Sequence, residues 1–219
     1  MGNRNKRKPG ERARITRADV IDAAVRVYRS SGIESVNMRS VAGELGVAPN
    51  ALYSHVATKD ELIDELIDAL LAEVTIPESG MPWRSALVEL MESSRTVLLR
   101  YGDLMPEFLS RPTRGANARH LGKVTLRLLA EGGISGELAV NALRILVVYT
   151  FGFVAQEYPR LVDINNETRK ARTRAAFLKA APEPITREIA RSLSEHPDNH
   201  TFRTGLHWLV DGISNSRGS

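Results

Sequence analysis

GVAPNALYSHVATKDEL, residues 46–62, contains the starts of two helices only a few residues apart. Gly46 is the residue type that ends a helix in a left-handed conformation, and Pro49 is tolerated in the first turn of the next helix because that turn's amide is unpaired anyway. Thr58 and Glu61 then form a capping box for the following helix. The stretch predicts a helix of about eight residues, too short to be stable alone, with polar groups on its outer face.

Two further helices are predicted upstream of this stretch. Thr16 and Asp19 form a capping box, and a second short helix begins near Asn37 and ends at Gly46. The residues expected to form a small shared core are Ile21, Ala24, Val25, Tyr28, Val41, Ala42, Leu45, Val47, Leu52 and Val56. Three helices, the last two joined by a turn that contains glycine, are typical of a helix-turn-helix, whose outer polar face enters the major groove of DNA.

The charge of the chain is unevenly distributed. The net charge is +4, but residues 1–59 contain 11 Lys/Arg against 5 Asp/Glu, a net of +6, whereas the remaining residues have a net of −2. A basic end indicates a polyanionic partner at that end. Residues 1–14 alone contribute +5, so a basic tail on a neutral domain is the alternative explanation. The basic residues of this arm, which would neutralise phosphates or enter the minor groove, are Arg4, Lys6, Arg7, Lys8, Arg12 and Arg14.

Helical periodicity continues through the rest of the chain. Leu62, Leu66 and Leu70 recur at helical spacing after Thr58, and PESGMPW at 77–83 interrupts that helix. Further helices are predicted at about 83–100, 117–131, 136–158, 167–180 and 201–215, and no segment has the strict alternation of a half-buried strand. We therefore expect an all-α protein with four parts: a flexible basic arm over 1–14, a helix-turn-helix domain over 15–60, a connecting helix over 61–76 and a larger helical domain over 77–215.

Composition and missing motifs exclude several classes of protein. The chain has no cysteine, which excludes disulfides, thiolate catalysis and cysteine-ligated zinc and fits a reducing cytoplasm. No apolar run approaches the roughly 20 residues of a membrane span. The nucleophile elbow, the zinc-protease helix and the phosphate-binding glycine loops are all missing from the sequence. We expect a cytoplasmic protein that is not an enzyme, with no catalytic residues, cofactor, metal site or membrane contact.

The run VNMRSVAGELGVAPNALYSHVATKDELIDELI, residues 36–67, resembles the DNA-binding region of TetR-family transcriptional regulators. LYSHVATKDEL, residues 52–62, matches that family's pattern of Leu-Tyr-x-His followed by Lys and Leu. The positions at which the resemblance implies DNA contact are Arg39, Pro49, Asn50, Ala51, Tyr53, Ser54, His55 and Lys59.

The resemblance also implies a role for each of these residues. Pro49, Asn50 and Ala51 fall at the tip of the recognition helix, where they would touch base edges. Tyr53, His55 and Lys59 are expected on backbone phosphates, and Arg39 on a base or a phosphate. Ser54 stands where the family often has a larger aromatic residue, so its reach is shorter. From the residues alone, Asn50 either bonds adenine or caps the helix, and Tyr53 either meets phosphate or covers the small core.

The remainder of the chain resembles the C-terminal domain of the tetracycline repressor more loosely, through SRPTRGAN (110–117), LRLLAEGGIS (126–135), YTFGFVAQE (149–157) and FRTGLHWLVDGI (202–213). The segment 138–154 is hydrophobic nearly all round and must be covered on both sides. The resemblance implies that this helix and the last one pair with their symmetry mates in the four-helix bundle of a homodimer. The alternative is the ordinary core of a monomer.

The same domain is expected to hold a ligand pocket, because a mostly apolar cavity is the usual small-molecule site. The residues expected to line it are Met91, Arg95, Leu98, Met105, Phe108, Tyr149 and Phe153. Tetracycline repressors coordinate drug-bound magnesium through a His and a Glu. Arg100 and Gln156 stand near those positions here, so we do not expect a tetracycline–magnesium inducer.

These observations together predict a sequence-specific transcriptional regulator. We expect a homodimeric repressor that a small-molecule ligand releases from a palindromic operator in double-stranded DNA. An activator is the alternative with the same fold. An all-α small-molecule carrier or protein-interaction adaptor that does not bind DNA is the alternative of another class, and steeply salt-dependent DNA affinity distinguishes the regulator from it.

Overall fold

The described part of the chain is built from helices and contains no strand, which confirms the all-α prediction for that part. This computed structural model describes residues 15–111, 114–161 and 198–216, with a few positions between 162 and 197. The basic arm over 1–14 and most of the helix predicted over 167–180 lie outside the described residues. The chain divides into two compact units, Met1–Ala69 and Leu70–Ser219.

The first unit begins with α1 (Arg17–Ser31), a three-residue 3₁₀ turn (Ile33–Ser35) and α2 (Met38–Leu45). A 3₁₀ helix (Pro49–Ser54) and most of α3 (Lys59–Leu71) follow. The predicted capping box of α1 is present: the Thr16 amide donates to the Asp19 carboxylate at 2.8 Å, and the Asp19 amide donates to the Thr16 hydroxyl at 3.2 Å. Gly46 ends α2 with a φ of 67°, the left-handed conformation that favours glycine.

The small core of the first unit follows the predicted pattern except on α1, where the buried side of the helix is turned relative to the predicted side. Its buried apolar side chains, on these helices and in the turns between them, are Val20, Ala23, Ala24, Val27, Tyr28, Val36, Met38, Val41, Ala42, Leu52, Val56, Leu62, Ile63, Leu66 and Ile67. Ile21 and Val25 were predicted to face this core but are half-buried, because the buried stripe of α1 runs through Val20, Ala24 and Val27. Leu45 and Val47 are also half-buried, at the turn between the second and third helices.

Two predicted helix lengths are wrong. The third helix is a six-residue 3₁₀ helix and not an α-helix of about eight residues, and Ala48 at its N-cap provides no side-chain hydrogen bond. Helix α3 ends at Leu71 rather than at residue 76. The chain tightens there into a turn in which the amides of Glu73 and Val74 donate to carbonyls only three residues back, each at 3.2 Å.

The second unit is a bundle around α4 (Trp83–Arg100). It continues with α5 (Met105–Ser110), α6 (Ala116–Glu131), α7 (Gly136–Leu161) and α8 (Asn199–Asn215). Helix α4 contacts α6, α7 and α8. Helix α5 and the 3₁₀ turn Gly102–Leu104 before it were not predicted, since six residues are too few to show a helical period.

A buried polar cluster joins three helices of this bundle. Arg95 on α4 forms a two-point ion pair with Glu157 on α7 and also donates to the side-chain oxygen of Asn199 on α8, at 3.0 Å. Its guanidinium lies over the rings of Phe153 and Phe202, 5.7 and 5.2 Å from their centroids. Pairing and stacking of this kind are what make a buried charge tolerable.

Candidate DNA-binding surface and ligand cavity

The 3₁₀ helix Pro49–Ser54, called the recognition helix from here on, has a buried side and an exposed side. Leu52 and, just after the helix, Val56 are fully buried in the small core. Pro49 and Asn50 are exposed, Ala51 is half-buried, and 53% of Tyr53 is exposed. The helix therefore anchors through its leucine and presents its polar groups outward, where they are accessible to a binding partner.

Two helix starts supply the cations predicted for this surface. Arg39 is exposed in the first turn of α2, where the Asn37 side chain accepts from the amides of Arg39 and Ser40 at 3.0 and 3.1 Å. Lys59 is the exposed first residue of α3, whose start is capped by the Thr58 hydroxyl accepting from the Glu61 amide at 3.0 Å. A helix N-terminus with a neighbouring cation attracts phosphate oxygens.

Ser54 and His55 are less available for contact with DNA than the other predicted residues. The Ser54 hydroxyl donates to the carbonyl of Ala51 within the same helix at 3.0 Å, so its proton is already used. His55 follows the recognition helix and is half-buried. Its carbonyl accepts from the guanidinium of Arg17.

Arg17 is a residue of this surface that the sequence analysis missed. Besides the His55 carbonyl, it donates to Glu61 at 2.7 Å and to Glu65 at 2.6 Å, both on α3. Glu61 in turn accepts from the Ala57 amide at 2.7 Å. That amide, and then Arg17, lower the pKa of Glu61, while hydrogen bonds to Glu65 and Glu61 raise the pKa of Arg17. Arg17 thus fixes the end of the recognition helix to the start of α3.

The second unit contains a cavity of about 230 Å³. Its lining residues come from the end of α3 and from α4, α6 and α7: Leu71, Leu90, Met91, Ser94, Leu98, Ala118, Leu121, Gly122, Thr125, Leu143, Val147, Thr150 and Phe151. Met91 and Leu98 were predicted to line the pocket, and both do. The wall is apolar except for three hydroxyl groups, which is the usual composition of a small-molecule site.

The other residues predicted for the pocket lie elsewhere. Arg95, Tyr149 and Phe153 belong to the buried cluster with Phe202: the Tyr149 hydroxyl donates to the Phe202 carbonyl at 2.8 Å, and the two rings stack 5.2 Å apart. On α7, the residues at 147, 150 and 151 face the cavity, whereas those at 149 and 153 lie on another face of the helix.

Two predicted pocket residues take part in neighbouring contacts instead. Phe108 packs on Phe151 with ring centroids 5.9 Å apart, behind the cavity wall. Met105 lines a separate, more open cavity with Tyr158 and Leu109. The cavity thus shares α4 and α7 with the predicted pocket, but it uses α6 in place of α5.

Helices α7 and α8 expose a large apolar face. Trp208 on α8 is 74% exposed and Val148 on α7 is 70% exposed, and Val140, Ile145 and Val147 add to this face. Contrary to the expectation from the sequence, α7 over Gly136–Tyr158 has the length and hydropathy of a membrane span; it is the one such helix among the residues described. A helix that packs within or between globular subunits has the same pattern.

Comparisons with known proteins match both units. A family model described as "Bacterial regulatory proteins, tetR family" matches residues 20–66, and one described as "Tetracyclin repressor-like, C-terminal domain" matches residues 76–217. The chain belongs to the TetR family of transcriptional regulators. It is 33% identical to the class A tetracycline repressor protein of transposon 1721 from Escherichia coli, with 90% of each chain covered.

Two further relatives of this TetR-family chain come from Streptomyces. The transcriptional repressor DrrR1 of Streptomyces coeruleorubidus is 29% identical, over 93% of this chain and 79% of that one. The crystal structure of the TetR family protein ActR from Streptomyces coelicolor in complex with actinorhodin has a TM-score of 0.82 and 25% identity. That alignment covers 94% of this chain and 99% of ActR.

Membership in the TetR family favours the regulator over the carrier or adaptor. The chain is a DNA-binding transcriptional regulator that responds to a small-molecule ligand and binds DNA as a dimer. Proteins of this family are regulators rather than enzymes. The carrier or adaptor without DNA binding is not favoured.

Proposed function

We propose that this chain is a homodimeric repressor that holds a palindromic operator until a small molecule occupies the cavity of the second unit. The observation that carries the proposal is the recognition helix, which is anchored by the fully buried Leu52 while Asn50 and Tyr53 stay exposed. One such helix makes too few contacts for specificity. Two copies related by a twofold axis read two half-sites, which is why we propose a palindrome.

Base reading is assigned to the start of the recognition helix and to α2. Asn50 is the second residue of its helix, so it is not the cap, and among the described residues its side-chain amide has no hydrogen-bond partner. Its amide oxygen can therefore accept from adenine while its amide nitrogen donates to the same base. Pro49 and Ala51 offer apolar contact to thymine methyl groups. Arg39 reaches a guanine or a phosphate with its forked donors.

Phosphate binding is assigned to residues around these base contacts. Tyr53 donates its exposed hydroxyl, Lys59 adds charge at the start of α3, and His55 contributes from the end of the recognition helix. Ser54 has a minor role, since its hydroxyl proton is used within the helix. In our proposal the basic arm over 1–14 adds further phosphate contacts and the DNA-binding domain covers 15–60. The connecting segment covers 61–76, in which α3 ends at Leu71, and the ligand and dimerisation domain covers 77–215.

Release by ligand is proposed to run through α3. This helix begins at Lys59 and ends at Leu71, which lines the cavity. A ligand that binds more tightly to the state in which Leu71 is displaced favours that state, and Lys59 belongs to the same helix. The proposed result is a changed separation of the two recognition helices and loss of the operator. We further propose that the protein acts in the cytoplasm and has no catalytic activity.

The decisive experiment recovers the DNA that the purified protein selects from a random pool. We expect a palindrome whose half-sites lie about one helical turn apart, or a multiple of that, centre to centre. Asn50→Ala should then relax sequence preference within the half-site, whereas Tyr53→Ala should weaken selected and scrambled duplexes alike. Enrichment of no sequence, or binding that does not weaken with salt, would refute the proposal.

A further inference from the structure

We infer that the cavity of the second unit binds an uncharged, two-ring aromatic molecule that donates hydrogen bonds to its wall, and that Gly122 is the residue that makes room for it. The inference rests on the proposed function, since it names the ligand class of the same cavity.

The cavity size limits the ligand. An apolar cavity of about 150 Å³ lined by Leu, Ile and Phe is large enough to take up benzene. This cavity, at about 230 Å³, is roughly one and a half times that volume and is lined by aliphatic side chains together with Phe151. A fused pair of aromatic rings fits such a space.

The polar groups of the cavity wall are hydrogen-bond acceptors toward the ligand. The hydroxyls of Ser94, Thr125 and Thr150 each donate to the carbonyl four residues earlier in their own helix, at 2.7, 2.9 and 2.8 Å. Their protons are used, so they face the cavity with lone pairs only. Among the described lining residues there is no ionisable side chain, so a charged ligand would lose its hydration without compensation. The complementary ligand is neutral and carries hydroxyl or amine donors.

Close packing does not require glycine at position 122. It lies in the interior of α6, where glycine is less favourable than alanine, and a Cβ built on it would meet no atom within 4 Å. Ala118, Leu121 and Thr125 of the same helix also line the cavity, at the spacings that place them with Gly122 on one face. The missing side chain keeps open the space beside that face, so that a flat ring can approach the backbone of α6.

The test titrates the free protein, without DNA, with four two-ring probes of matched shape: naphthalene, 2-naphthol, quinoline and 2-naphthoate. We expect 2-naphthol to bind about three- to tenfold more tightly than naphthalene or quinoline, since only it donates a hydrogen bond. 2-Naphthoate should bind at least about tenfold more weakly than 2-naphthol. Equal or tighter binding of 2-naphthoate, equal binding of quinoline, or binding of none of the four probes would overturn the inference.

Two pairs of variants assign the effect to named residues. Thr125→Val should reduce the preference for 2-naphthol over naphthalene, whereas Thr96→Val should not, because the Thr96 hydroxyl makes the same helical hydrogen bond outside the cavity. Gly122→Leu should weaken 2-naphthol binding at least about tenfold while keeping or raising the melting temperature. Gly43→Ala, at an open helical glycine in the first unit, is its control and should leave ligand binding unchanged.

Wild-type affinity for 2-naphthol in Gly122→Leu would contradict the role of Gly122. Because these titrations contain no DNA, they are independent of the operator experiment. A protein that selects a palindrome but prefers 2-naphthoate contradicts the ligand class alone. A protein that binds 2-naphthol as expected but selects no DNA contradicts the proposed function alone.

Discussion

Arg95 and Glu157 form a two-point ion pair inside the helical bundle, with Nε and Nη2 of the arginine 2.9 and 2.5 Å from the two carboxylate oxygens. Both side chains are more than nine-tenths buried. Removing one partner leaves the other charge buried and unpaired, so we expect Glu157→Leu to reduce the free energy of unfolding by about 3–5 kcal/mol. Chemical denaturation of the second unit measures this loss.

The double variant Arg95→Met/Glu157→Leu is the control for that prediction. It removes both charges and leaves apolar side chains of similar volume, so it should recover most of the lost stability. The prediction is contradicted if Glu157→Leu is as stable as the wild type, or if the double variant is no more stable than Glu157→Leu. Either result would show that the ion pair does not stabilise the fold by the expected amount.

Arg17 is expected to act on DNA binding by positioning rather than by contact. Arg17→Gln breaks the links from α1 to the His55 carbonyl, Glu61 and Glu65, so the recognition helix loses a fixed end and operator affinity falls. Since no phosphate contact is lost, the slope of log affinity against log salt should stay unchanged. Arg39→Gln, in contrast, should reduce that slope by about one if Arg39 contacts a phosphate. A reduced slope in Arg17→Gln would instead indicate direct contact with DNA.

The exposed apolar face of α7 and α8 predicts which substitutions dissociate the dimer. Val148→Asp and Trp208→Asp each place a charge where the second copy must exclude water, so sedimentation should show monomers and operator affinity should collapse. Leu109→Asp is the matched control, because Leu109 is 60% exposed on α5, outside that face. Dimers that survive in both Val148→Asp and Trp208→Asp would exclude this face as the interface.

Acidification is expected to loosen the first unit before charge repulsion unfolds the whole chain. The Ala57 amide and Arg17 lower the pKa of Glu61 below its ordinary value of 4.5, and hydrogen bonds from Thr16 lower the pKa of Asp19 below 3.8. A carboxylate with a lower pKa in the folded state stabilises the fold above its unfolded pKa, and this contribution is lost as the pH falls through the folded value.

Amide hydrogen exchange in α1 and α3 is the measurement for this pH dependence. Protection should fall as the pH is lowered from about 5 toward 3, after correction for the intrinsic exchange rate. Glu61→Gln should start with lower protection and show a shallower fall. A variant with the same pH profile as the wild type would mean that the Glu61 cap contributes nothing measurable.

Local rules were sufficient for the helix-turn-helix. The capping box at Thr16, the start of the second helix near Asn37 and the left-handed glycine at 46 depend on residues within a few positions of each other, and all three were predicted. The form of the recognition helix was not, because the choice between α and 3₁₀ geometry over six residues depends on small differences in packing and capping. Arg17 was missed for another reason: its partners lie 38 to 48 residues away in sequence.

The cavity shows where periodicity stops being informative. Helix α7 is apolar on nearly every side, so its sequence indicates burial but not which side meets which neighbour. Tyr149 and Phe153 were the largest apolar candidates, yet their face packs on Phe202, and the smaller Val147 and Thr150 reach the cavity beside Phe151. Only the placement of α4, α6 and α8 around α7 decides this.

The 3₁₀ geometry of Pro49–Ser54 also sets the footprint on a duplex. Residues three apart in such a helix stand directly above one another, about 6 Å apart along the axis, instead of about 4.5 Å in an α-helix. Asn50 and Tyr53 therefore form a straight column as long as almost two base-pair steps. In the proposed complex, the base contact of Asn50 and the phosphate contact of Tyr53 would therefore lie along one line, parallel to the axis of the recognition helix.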